Sequence, residues 1–453
     1  MATLACLLRS RGHMVGGSDQ NVYPPMSDFL AREGIVALAG YSADHITREI
    51  DLVVVGNAIS RGNPELEAVL DRRMRYCSLP EAIRDEFLWR QHAVVVAGTH
   101  GKTTTTSLTG WLLTSGGLDP TVLVGGIAIN LGEHGSSYRV GAGEHFVIEG
   151  DEYDSAFFDK SAKFLKYLPQ IAVINNIEFD HADIYADLAA VRLAFTRLVN
   201  LVPRRGLLLV GADEAETREI AAGALCEVET FGLSEGATWR ATGLTVRDGV
   251  TTFDVVRDGV AFGHFASPLL GVHNVRNALA AIAVGARAGL SASALAQGLR
   301  SFLGIKRRLE IVGVADGVTV IDDFAHHPTA VRETLAALRA GYPSRRVWAV
   351  FEPRSASSCR RVFQQAFAQA FAGADEVVVA SVFRSSLPDG ERLSAEQLVA
   401  DLRRAGQSAR FIPEVSEIIA TIVREHRHGD VVVLMSNGGF GDIHRRLVQA
   451  LDS

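Results

Sequence analysis

Residues 98–104, GTHGKTT, combine glycines, a lysine and hydroxyl side chains at a spacing that suits a polyphosphate ligand. Residues 94–96 predict a short buried strand before this turn, and residues 104–111 predict a helix after it. Glycines let backbone N–H groups converge on phosphate oxygens, and the helix N-terminus adds the positive end of its dipole. Lys102 would then bridge the β- and γ-phosphates, and the hydroxyl of Thr103 would bind Mg²⁺.

This turn is a short variant of the common phosphate loop. The pattern G-x-x-x-x-G-K-[ST] requires a glycine where this chain has Val96, so the match is to the form G-T-x-G-K-T. A chance Gly-Lys-Thr in a surface turn is the alternative, but the flanking strand and helix favour nucleotide binding. The candidate nucleotide contacts are Gly98, Thr99, His100, Gly101, Lys102, Thr103 and Thr104. The loop alone does not indicate how the nucleotide is used.

Two further predicted strands end in groups that bind cations. Residues 149–154 hold four carboxylates, of which Glu149 stands nearest the strand end. Carboxylates beside a phosphate loop favour a bound cation, and a solvated acidic turn is the alternative. Residues 171–181 likewise predict an apolar strand that is followed by charged and polar residues, the last of which is His181. A lone histidine is usually structural, but at this strand end we interpret His181 as a ligand of a second Mg²⁺.

Polar residues farther along the chain have two interpretations each. His273 and Asn274 precede an alanine-rich helix at residues 278–288 and could cap it, or the amide of Asn274 could contact an adenine edge. Arg308 lies in a run of three cations. That run is either a solvated linker or a source of phosphate contact.

Composition narrows the class of protein. A chain of 453 residues suits about three domains. Its net charge is −7 and no block of lysine and arginine stands out, so we expect no nucleic-acid partner. Apolar runs are of strand length, and residues 1–8 are too short for a signal peptide, so we expect no membrane association. Four scattered cysteines are typical of reduced thiols in a cytoplasmic protein.

The first 90 residues predict a βαβ pattern, with a helix near residues 24–33 and Pro64 at the first position of a later helix. Ser18 and Asp19 follow a strand, where an acidic side chain often contacts a ribose hydroxyl. A helix or turn cap is the alternative. Dinucleotide-type folds begin with a strand and a glycine-rich turn, and both are missing here. We therefore expect a truncated Rossmann-like domain.

The last third of the chain alternates strands and helices, which predicts a second parallel sheet. One of its helices is expected over residues 357–372. Open parallel sheets bind ligands at the carboxyl ends of their strands, and here those ends carry Asp323, Glu352 and Arg354. The fold class is therefore α/β, with a central phosphate-loop sheet between two Rossmann-like parts.

Six segments, in their order along the chain, resemble the Mur ligase family of peptidoglycan synthesis. They are GTHGKTT, EGDEYDSAFFD, NNIEFDH, GVHNVRNALAA, GIKRRLE and DDFAHHPT. The resemblance spans nearly the whole chain. It implies a UDP-sugar-binding domain at residues 1–90, a central ATP-binding domain at 91–303 and a domain for the amine substrate at 304–453.

The family resemblance also implies roles for single residues. It implies Mg²⁺ bound through Thr103 and Glu149, a second Mg²⁺ through His181, Asn274 at the adenine, and Arg308 and Asp323 on ATP. The resemblance thus indicates a catalytic set that consists of Lys102, Glu149, His181 and Arg308. Candidate substrate contacts are Ser18, Asp19, His327, Glu352 and Arg354.

Within the family, the chain is most similar to the branch that joins the tripeptide L-alanyl-γ-D-glutamyl-meso-diaminopimelate to UDP-N-acetylmuramate. Arg354-Ser355 stands where the alanine-adding branch typically has His-Arg-Tyr. The implied reaction is amide formation through an acyl phosphate, by a cytoplasmic monomer or weak homodimer. Three alternatives stay open: the alanine-adding ligase, folylpolyglutamate synthase, and a nucleotide-binding protein without ligase activity.

Overall fold

The computed structural model describes residues 1–21, 30–383 and 387–453. Its first part contains α1 (Ala2–Ser10), β1 (Gly16–Asp19), β2 (Val36–Ala39), β3 (Val53–Val55), α2 (Pro64–Asp71), β4 (Tyr76–Ser78) and α3 (Leu79–Phe87). The strands form two separate parallel pairs, β1 with β2 and β3 with β4. Most of the helix expected near residues 24–33 lies outside the described residues.

The start of α2 follows the sequence prediction. Asn63 precedes the helix, and its side-chain oxygen accepts hydrogen bonds from the N–H groups of Glu65 and Leu66. Pro64 occupies the first helical position, where its missing N–H costs nothing. The prediction of Pro64 at the first position of this helix is therefore confirmed.

The middle part is built on one ten-stranded sheet. Its elements are β5 (His92–Ala97), α4 (Lys102–Ser115), β6 (Thr121–Ala128), β7 (Ser136–Arg139), β8 (His145–Glu149), β9 (Asp154–Ala156), β10 (Asp159–Ala162), β11 (Ile171–Ile174), α5 (Leu188–Val199), β12 (Leu207–Gly211), α6 (Ala215–Ala221), β13 (Glu227–Gly232), β14 (Trp239–Arg247), β15 (Val250–Arg257), β16 (Val260–Ser267), α7 (Val272–Arg287) and α8 (Ala292–Arg300). The strand order is β16-β15-β14-β13-β12-β11-β5-β8-β6-β7.

The strand before the phosphate loop lies in the interior of this sheet. β5 pairs in parallel with β11 on one side and β8 on the other. Val94 and Val96 pack into one hydrophobic core, whereas Ala93, Val95 and Ala97 pack into the core on the opposite face. A continuous apolar run is typical of a parallel strand that is covered on both faces. This burial fixes the position from which the phosphate loop leaves the sheet.

The middle sheet is not wholly parallel, in contrast to the sequence prediction. β14, β15 and β16 run antiparallel to one another, and β7 runs antiparallel to β6. The two turns are Asp248-Gly249 and Asp258-Gly259, and all four residues have positive φ. Asp-Gly pairs of this kind form the two-residue turns that suit the twist of a β-hairpin.

The last part has a six-stranded sheet in the order β17-β18-β22-β19-β20-β21. Its elements are β17 (Glu310–Ala315), β18 (Val318–Asp323), α9 (Pro328–Gly341), β19 (Val347–Phe351), α10 (Gln364–Ala370), β20 (Glu376–Val379), α11 (Ala395–Arg404), β21 (Ser408–Phe411), α12 (Val415–Glu425), β22 (Val431–Met435) and α13 (Ile443–Leu451). Five strands are parallel as predicted, and the edge strand β17 pairs antiparallel with β18.

The helix expected over residues 357–372 begins later, at Gln364. In the segment before this helix, serine side chains accept hydrogen bonds from backbone N–H groups. The N–H of Arg354 donates to Ser358 Oγ, and the N–H of Ser358 donates to Ser355 Oγ, both at 2.9 Å. Such local hydrogen bonds compete with helix formation. Among the described residues, no helix combines the length and the hydropathy that crossing a membrane requires.

Candidate active site

The phosphate loop joins β5 to α4 through two glycines with positive φ. Gly98 has φ of 130°, and Gly101 has φ of 79° and lies immediately before the helix. A Cβ atom on Gly101 would come within 2.4 Å of Asn277 Oδ1. Both the backbone conformation and the space therefore require glycine at position 101. The loop leads directly into the N-terminus of a 14-residue helix, which is the arrangement that receives phosphate groups.

A buried amide network that was not predicted from the sequence supports this loop. Asn175 Nδ2 donates to the carbonyl of His100 at 3.2 Å and to Thr105 Oγ1 at 3.1 Å. Thr105 Oγ1 in turn donates to Asn277 Oδ1 at 3.1 Å. Asn176 Oδ1 accepts from the N–H of His100 at 2.7 Å. The loop is thus held from β11 and from α7, which the sequence places more than 70 residues away.

Lys102 and His181 share one carboxylate, Glu152. Lys102 Nζ lies 2.6 Å from Glu152 Oε2, and His181 Nε2 lies 2.7 Å from Glu152 Oε1. Desolvation lowers the pKa of Lys102, but the nearby carboxylate charges, led by Glu152, together with the hydrogen bond to Glu152 outweigh it, and the net shift is upward. Desolvation lowers the pKa of His181, but its hydrogen bond to Glu152 and the charges of Glu152 and Asp180 together outweigh it, so this pKa is likewise raised. The sequence interpretation had favoured Glu149 and had not singled out Glu152.

Glu149 lies beside the first residues of α4. Thr103 Oγ1 donates to Glu149 Oε1 at 3.0 Å, and the N–H of Gly125 donates to Oε2 at 2.7 Å. Burial raises the pKa of Glu149. A hydroxyl and a buried carboxylate are hard oxygen donors, which are the ligands that Mg²⁺ takes. The residues present therefore fit a Mg²⁺ ion at this position.

Asn274 lies inside α7 and does not cap it. Gly271 occupies the position before the helix, and Asn274 Nδ2 donates to the carbonyl of Leu270 at 2.8 Å. Asn277 Nδ2 donates to Asn274 Oδ1 at 3.1 Å. The capping alternative for Asn274 is therefore wrong. These contacts connect Asn274 to the amide network under the phosphate loop, so its side chain faces the nucleotide end of the middle sheet.

Arg308 lies against an aromatic ring and has no side-chain hydrogen bond within residues 1–21, 30–383 and 387–453. Its guanidinium carbon is 4.8 Å from the ring centroid of Phe324. Desolvation lowers the pKa of Arg308. A desolvated cation without a hydrogen-bond partner favours a bound anion. Asp323 holds the neighbouring turn, since it accepts from the N–H groups of Leu309 and Ala325 at 2.8 and 2.9 Å.

Residues of the last part of the chain meet the middle part at this edge. His327 precedes α9 and its Nε2 lies 3.2 Å from the carbonyl of Phe179. The N–H of His181 donates to Ser357 Oγ at 3.0 Å. The loop after β11 therefore contacts two segments of the last sheet, and the strand ends of the two sheets face one another across the site.

Glu352 and Arg354 form a second group at the carboxyl ends of β19 and β22. Ser436 Oγ donates to Glu352 Oε2, and Arg354 Nη1 lies 3.6 Å from Glu352 Oε1. The Arg354 guanidinium carbon is 3.6 Å from the ring centroid of Phe383. A buried carboxylate beside a stacked guanidinium can pair with a zwitterionic group, since it offers one charge of each sign.

Ser18 and Asp19 lie apart from these two groups. Ser18 Oγ donates to Glu65 Oε2, and Asp19 Oδ1 accepts from the N–H of Asn21 at 3.1 Å. Both residues lie at the end of β1, as expected for a ligand contact in the first part. In the described part of the chain, no hydrogen bond joins either residue to the phosphate loop.

Comparison with known proteins matches three family models along the chain. The Mur ligase family catalytic domain matches residues 1–87, the Mur ligase middle domain matches residues 96–285, and the Mur ligase glutamate ligase domain matches residues 307–438.

Curated relatives are similar over the full chain. The UDP-N-acetylmuramate–L-alanyl-γ-D-glutamyl-meso-2,6-diaminoheptandioate ligase of Escherichia coli K12 is 40% identical, over 100% of this chain and 96% of its own length. The UDP-N-acetylmuramate–L-alanine ligase of Salinibacter ruber is 37% identical, over 98% of this chain and 90% of its own length.

Solved structures show the same architecture. A murein peptide ligase of Psychrobacter arcticus is 35% identical with a TM-score of 0.72, and the match covers 100% of this chain and 96% of that chain. The UDP-N-acetylmuramate–alanine ligase of Thermotoga maritima is 26% identical with a TM-score of 0.81, over 99% and 96% of the two chains. These matches confirm the predicted family and the three-part α/β fold: the chain belongs to the Mur ligase family.

Proposed function

We propose that this chain is an ATP- and Mg²⁺-dependent ligase that joins the tripeptide L-alanyl-γ-D-glutamyl-meso-diaminopimelate to UDP-N-acetylmuramate. The observation that carries the proposal is the 40% identity, over the whole chain, to a ligase named for those two substrates. Arg354-Ser355 in place of His-Arg-Tyr supports the same branch. The phosphate loop and the facing strand ends of two sheets supply a place for each reactant.

The nucleotide end of the site is assigned to the middle part. The backbone of residues 98–104 receives the ATP phosphates, Lys102 neutralises them, and Arg308 approaches from the last part of the chain. Asn274 is proposed at the adenine and Asp323 near the ribose-phosphate. Thr103, Glu149 and His181 would hold Mg²⁺, which supplies charge neutralisation at the transferred phosphoryl group when it is bound.

The chemistry follows from the need to activate a carboxylate. An oxygen of the lactyl carboxylate of UDP-N-acetylmuramate attacks the γ-phosphorus, the bond to the β-phosphate oxygen breaks, and ADP leaves. The acyl phosphate that forms is then attacked by the α-amine of the tripeptide. A C–N bond forms, the C–O bond to phosphate breaks, inorganic phosphate leaves, and the amine loses a proton. Lys102 and Arg308 stabilise the negative charge that develops during the first step.

The two substrates are assigned to opposite ends of the site. Glu352 and Arg354 are proposed to bind the charged groups of the tripeptide, and His327 lies on the same side of the cleft. Ser18 and Asp19 are proposed to contact the UDP-sugar. The divisions at residues 90/91 and 303/304 are part of this proposal, as is a monomer or weak homodimer that acts in the cytoplasm.

A second candidate is the ligase that adds L-alanine to the same nucleotide sugar. The 37% identical relative from Salinibacter ruber and the TM-score of 0.81 to the Thermotoga maritima structure favour it. The two candidates share every chemical step and differ only in the amine. The decision between them therefore depends on the group at Glu352 and Arg354.

The test is ADP release in the presence of UDP-N-acetylmuramate, ATP and Mg²⁺, with L-alanine or the tripeptide added in turn. Release with the tripeptide alone is expected. Release with free L-alanine would assign the chain to the second candidate. Retained ATP binding without release for either amine would contradict both and would leave a nucleotide-binding protein without ligase activity.

A matched pair of lysine variants tests whether ADP release depends on the phosphate loop. Lys102→Ala removes the ammonium group beside the phosphate loop and is expected to abolish release. Lys306→Ala removes a half-exposed lysine whose contact is the ion pair with Glu310, so it should leave release unchanged.

A further inference from the structure

We propose that His100, Glu178 and His327 form a binding site for a late first-row divalent cation such as Zn²⁺, separate from the proposed Mg²⁺ ligands. One potential ligand atom from each of the three residues lies within 4.8 Å of the other two. His100 Nε2 is 3.5 Å and His327 Nδ1 is 3.7 Å from Glu178 Oε2. Neighbouring ligands around a tetrahedral Zn²⁺ are about 3.3 Å apart, given bonds of about 2.0 Å.

The hydrogen bonds around the cluster orient both imidazole rings. His327 Nε2 donates to the carbonyl of Phe179 at 3.2 Å, and Nδ1, which lies 3.7 Å from Glu178 Oε2, accepts a long hydrogen bond of 3.3 Å from the N–H of Thr329 that a bound ion would replace. A carbonyl partner on the far ring nitrogen is the usual support for a metal-binding histidine. His100 Nε2 is buried and has no hydrogen-bond partner in the described part of the chain. An orphaned ring nitrogen next to a carboxylate is accounted for by a cation between them.

The carboxylate is supported in the same way. Thr329 Oγ1 donates to Glu178 Oε2 at 2.7 Å and fixes the carboxylate between the two rings. A metal ion binds an ionised carboxylate and neutral imidazole rings, so ion binding at this cluster would release any proton that the two rings carry.

A fourth ligand position is open to water. Glu178, His327 and Thr329 line a cavity of about 590 Å³. Two histidines, one glutamate and one water make the donor set of many zinc sites, whereas Mg²⁺ takes mainly oxygen ligands. His100 belongs to the phosphate loop and His327 to the last part of the chain, so a bound ion would tie these two parts together.

The probe is Co²⁺, titrated into the full-length, nucleotide-free protein in the presence of excess Mg²⁺. We expect one Co²⁺ per chain, with the visible absorption of a four-coordinate ion, and displacement of that ion by Zn²⁺. Glu178→Gln keeps the size of the side chain and should weaken Co²⁺ binding at least about 10-fold, the smallest loss that removing even an outer partner gives. His327→Ala should act in the same direction.

Two histidine variants locate the ion. His264 is exposed and pairs with Asp254, so His264→Ala should bind Co²⁺ as the unmodified chain does. His181→Ala should also retain binding. Absence of the visible absorption would overturn the proposal. So would loss of binding in His181→Ala with retention in Glu178→Gln, because that result places the ion at the proposed Mg²⁺ ligands instead. Melting temperatures of all four variants confirm that each is folded.

Discussion

Lys102 and Glu152 form a buried ion pair, with Nζ and Oε2 2.6 Å apart and side-chain exposures of 12% and 3%. The same carboxylate lies 2.7 Å from His181 Nε2. Both partners of Glu152 are groups that the proposed function assigns to phosphate and metal. The nucleotide must therefore compete with Glu152 for Lys102, and this carboxylate sets the charge of the site before ATP enters.

Glu152→Gln is expected to show both effects of this carboxylate: it stabilises the nucleotide-free protein, and it competes with the nucleotide for Lys102. Removing the charge leaves a buried ammonium group, so the free energy of unfolding of the nucleotide-free protein should fall by about 1–3 kcal/mol. A non-hydrolysable ATP analogue with Mg²⁺ should then raise the melting temperature more in the variant than in the unmodified chain, because binding no longer breaks an ion pair. Thermal melts with and without the analogue measure both effects.

The control for this prediction lies in the same acidic segment. Asp154 pairs with Lys160, whose side chain is 68% exposed. Asp154→Asn should change the unfolding free energy by less than about 1 kcal/mol and leave the analogue-induced shift unaltered. An identical shift in Glu152→Gln and in the unmodified chain would show that Glu152 does not compete with the nucleotide.

The phosphate loop could be predicted from the sequence because its signal is local. Strand, glycine turn, Lys-Thr and helix follow one another within 20 residues, and each part has its own residue preference. The pairing of Glu152 with Lys102 could not be predicted in this way. Four carboxylates lie at the end of β8 or shortly after it, and which one meets Lys102 depends on the path of the chain beyond the strand. The support from Asn175 and Asn277 likewise arises only when β11 and α7 come together.

The antiparallel strands had a signal that the sequence interpretation did not use. Asp-Gly pairs at 248–249, 258–259 and 316–317 all have positive φ and each joins two adjacent strands. Such pairs are the strongest short-range indication of a hairpin. The late start of α10 is different, because it results from the serine hydrogen bonds before the helix. Helical propensity alone does not reveal that competition.

Thr103→Val tests the proposed Mg²⁺ ligand on α4. The valine keeps the shape of the side chain but removes the hydroxyl that lies 3.0 Å from Glu149. The Mg²⁺ concentration for half-maximal ADP release should rise about 10- to 100-fold. Thr109, on the same helix, has a buried hydroxyl without a hydrogen-bond partner in the described part of the chain. Thr109→Val should therefore leave the Mg²⁺ requirement unchanged, and equal behaviour of the two variants would remove Thr103 from the site.

Asp430 gives a prediction for stability and its dependence on pH. This carboxylate is 2% exposed and accepts hydrogen bonds from Arg346, Trp348 and the N–H of Arg427. Desolvation raises its pKa, but these donors outweigh desolvation and hold the pKa below the usual 3.8. Asp430→Asn should lower the free energy of unfolding by about 3 kcal/mol, because the guanidinium of Arg346 loses its closer charged partner and keeps only the 3.7 Å contact with Glu376.

The sign of the pH effect follows from this downward shift. A carboxylate with a depressed folded-state pKa stabilises the fold above pH 3.8, and that contribution is lost as the pH falls toward the folded-state value. Urea unfolding between pH 7 and pH 3 should thus be less pH-dependent in Asp430→Asn than in the unmodified chain. Asp442→Asn, at an exposed pair with Arg445, is the control and should preserve the full pH dependence.

Arg354→Ala tests which amine the last part of the chain recognises. Arg354 stacks on Phe383 and lies 3.6 Å from Glu352, so its guanidinium is positioned before substrate arrives. Loss of one charge-assisted contact of about 1.5–3 kcal/mol should raise the KM for the tripeptide roughly 10- to 100-fold. The KM for ATP should not change, because the phosphate loop is untouched. Arg445→Ala, which removes an arginine that is 73% exposed, is the matched control.

The two KM values together identify the site at which Arg354 acts. A rise for the tripeptide alone supports its placement at the charged end of the peptide. A parallel rise for ATP would instead mean that the variant disturbs the contact between the last and middle parts of the chain. An unchanged KM for the tripeptide would exclude Arg354 from peptide recognition, and the distinction between the tripeptide and L-alanine would then have to come from other residues at the ends of β19 and β22.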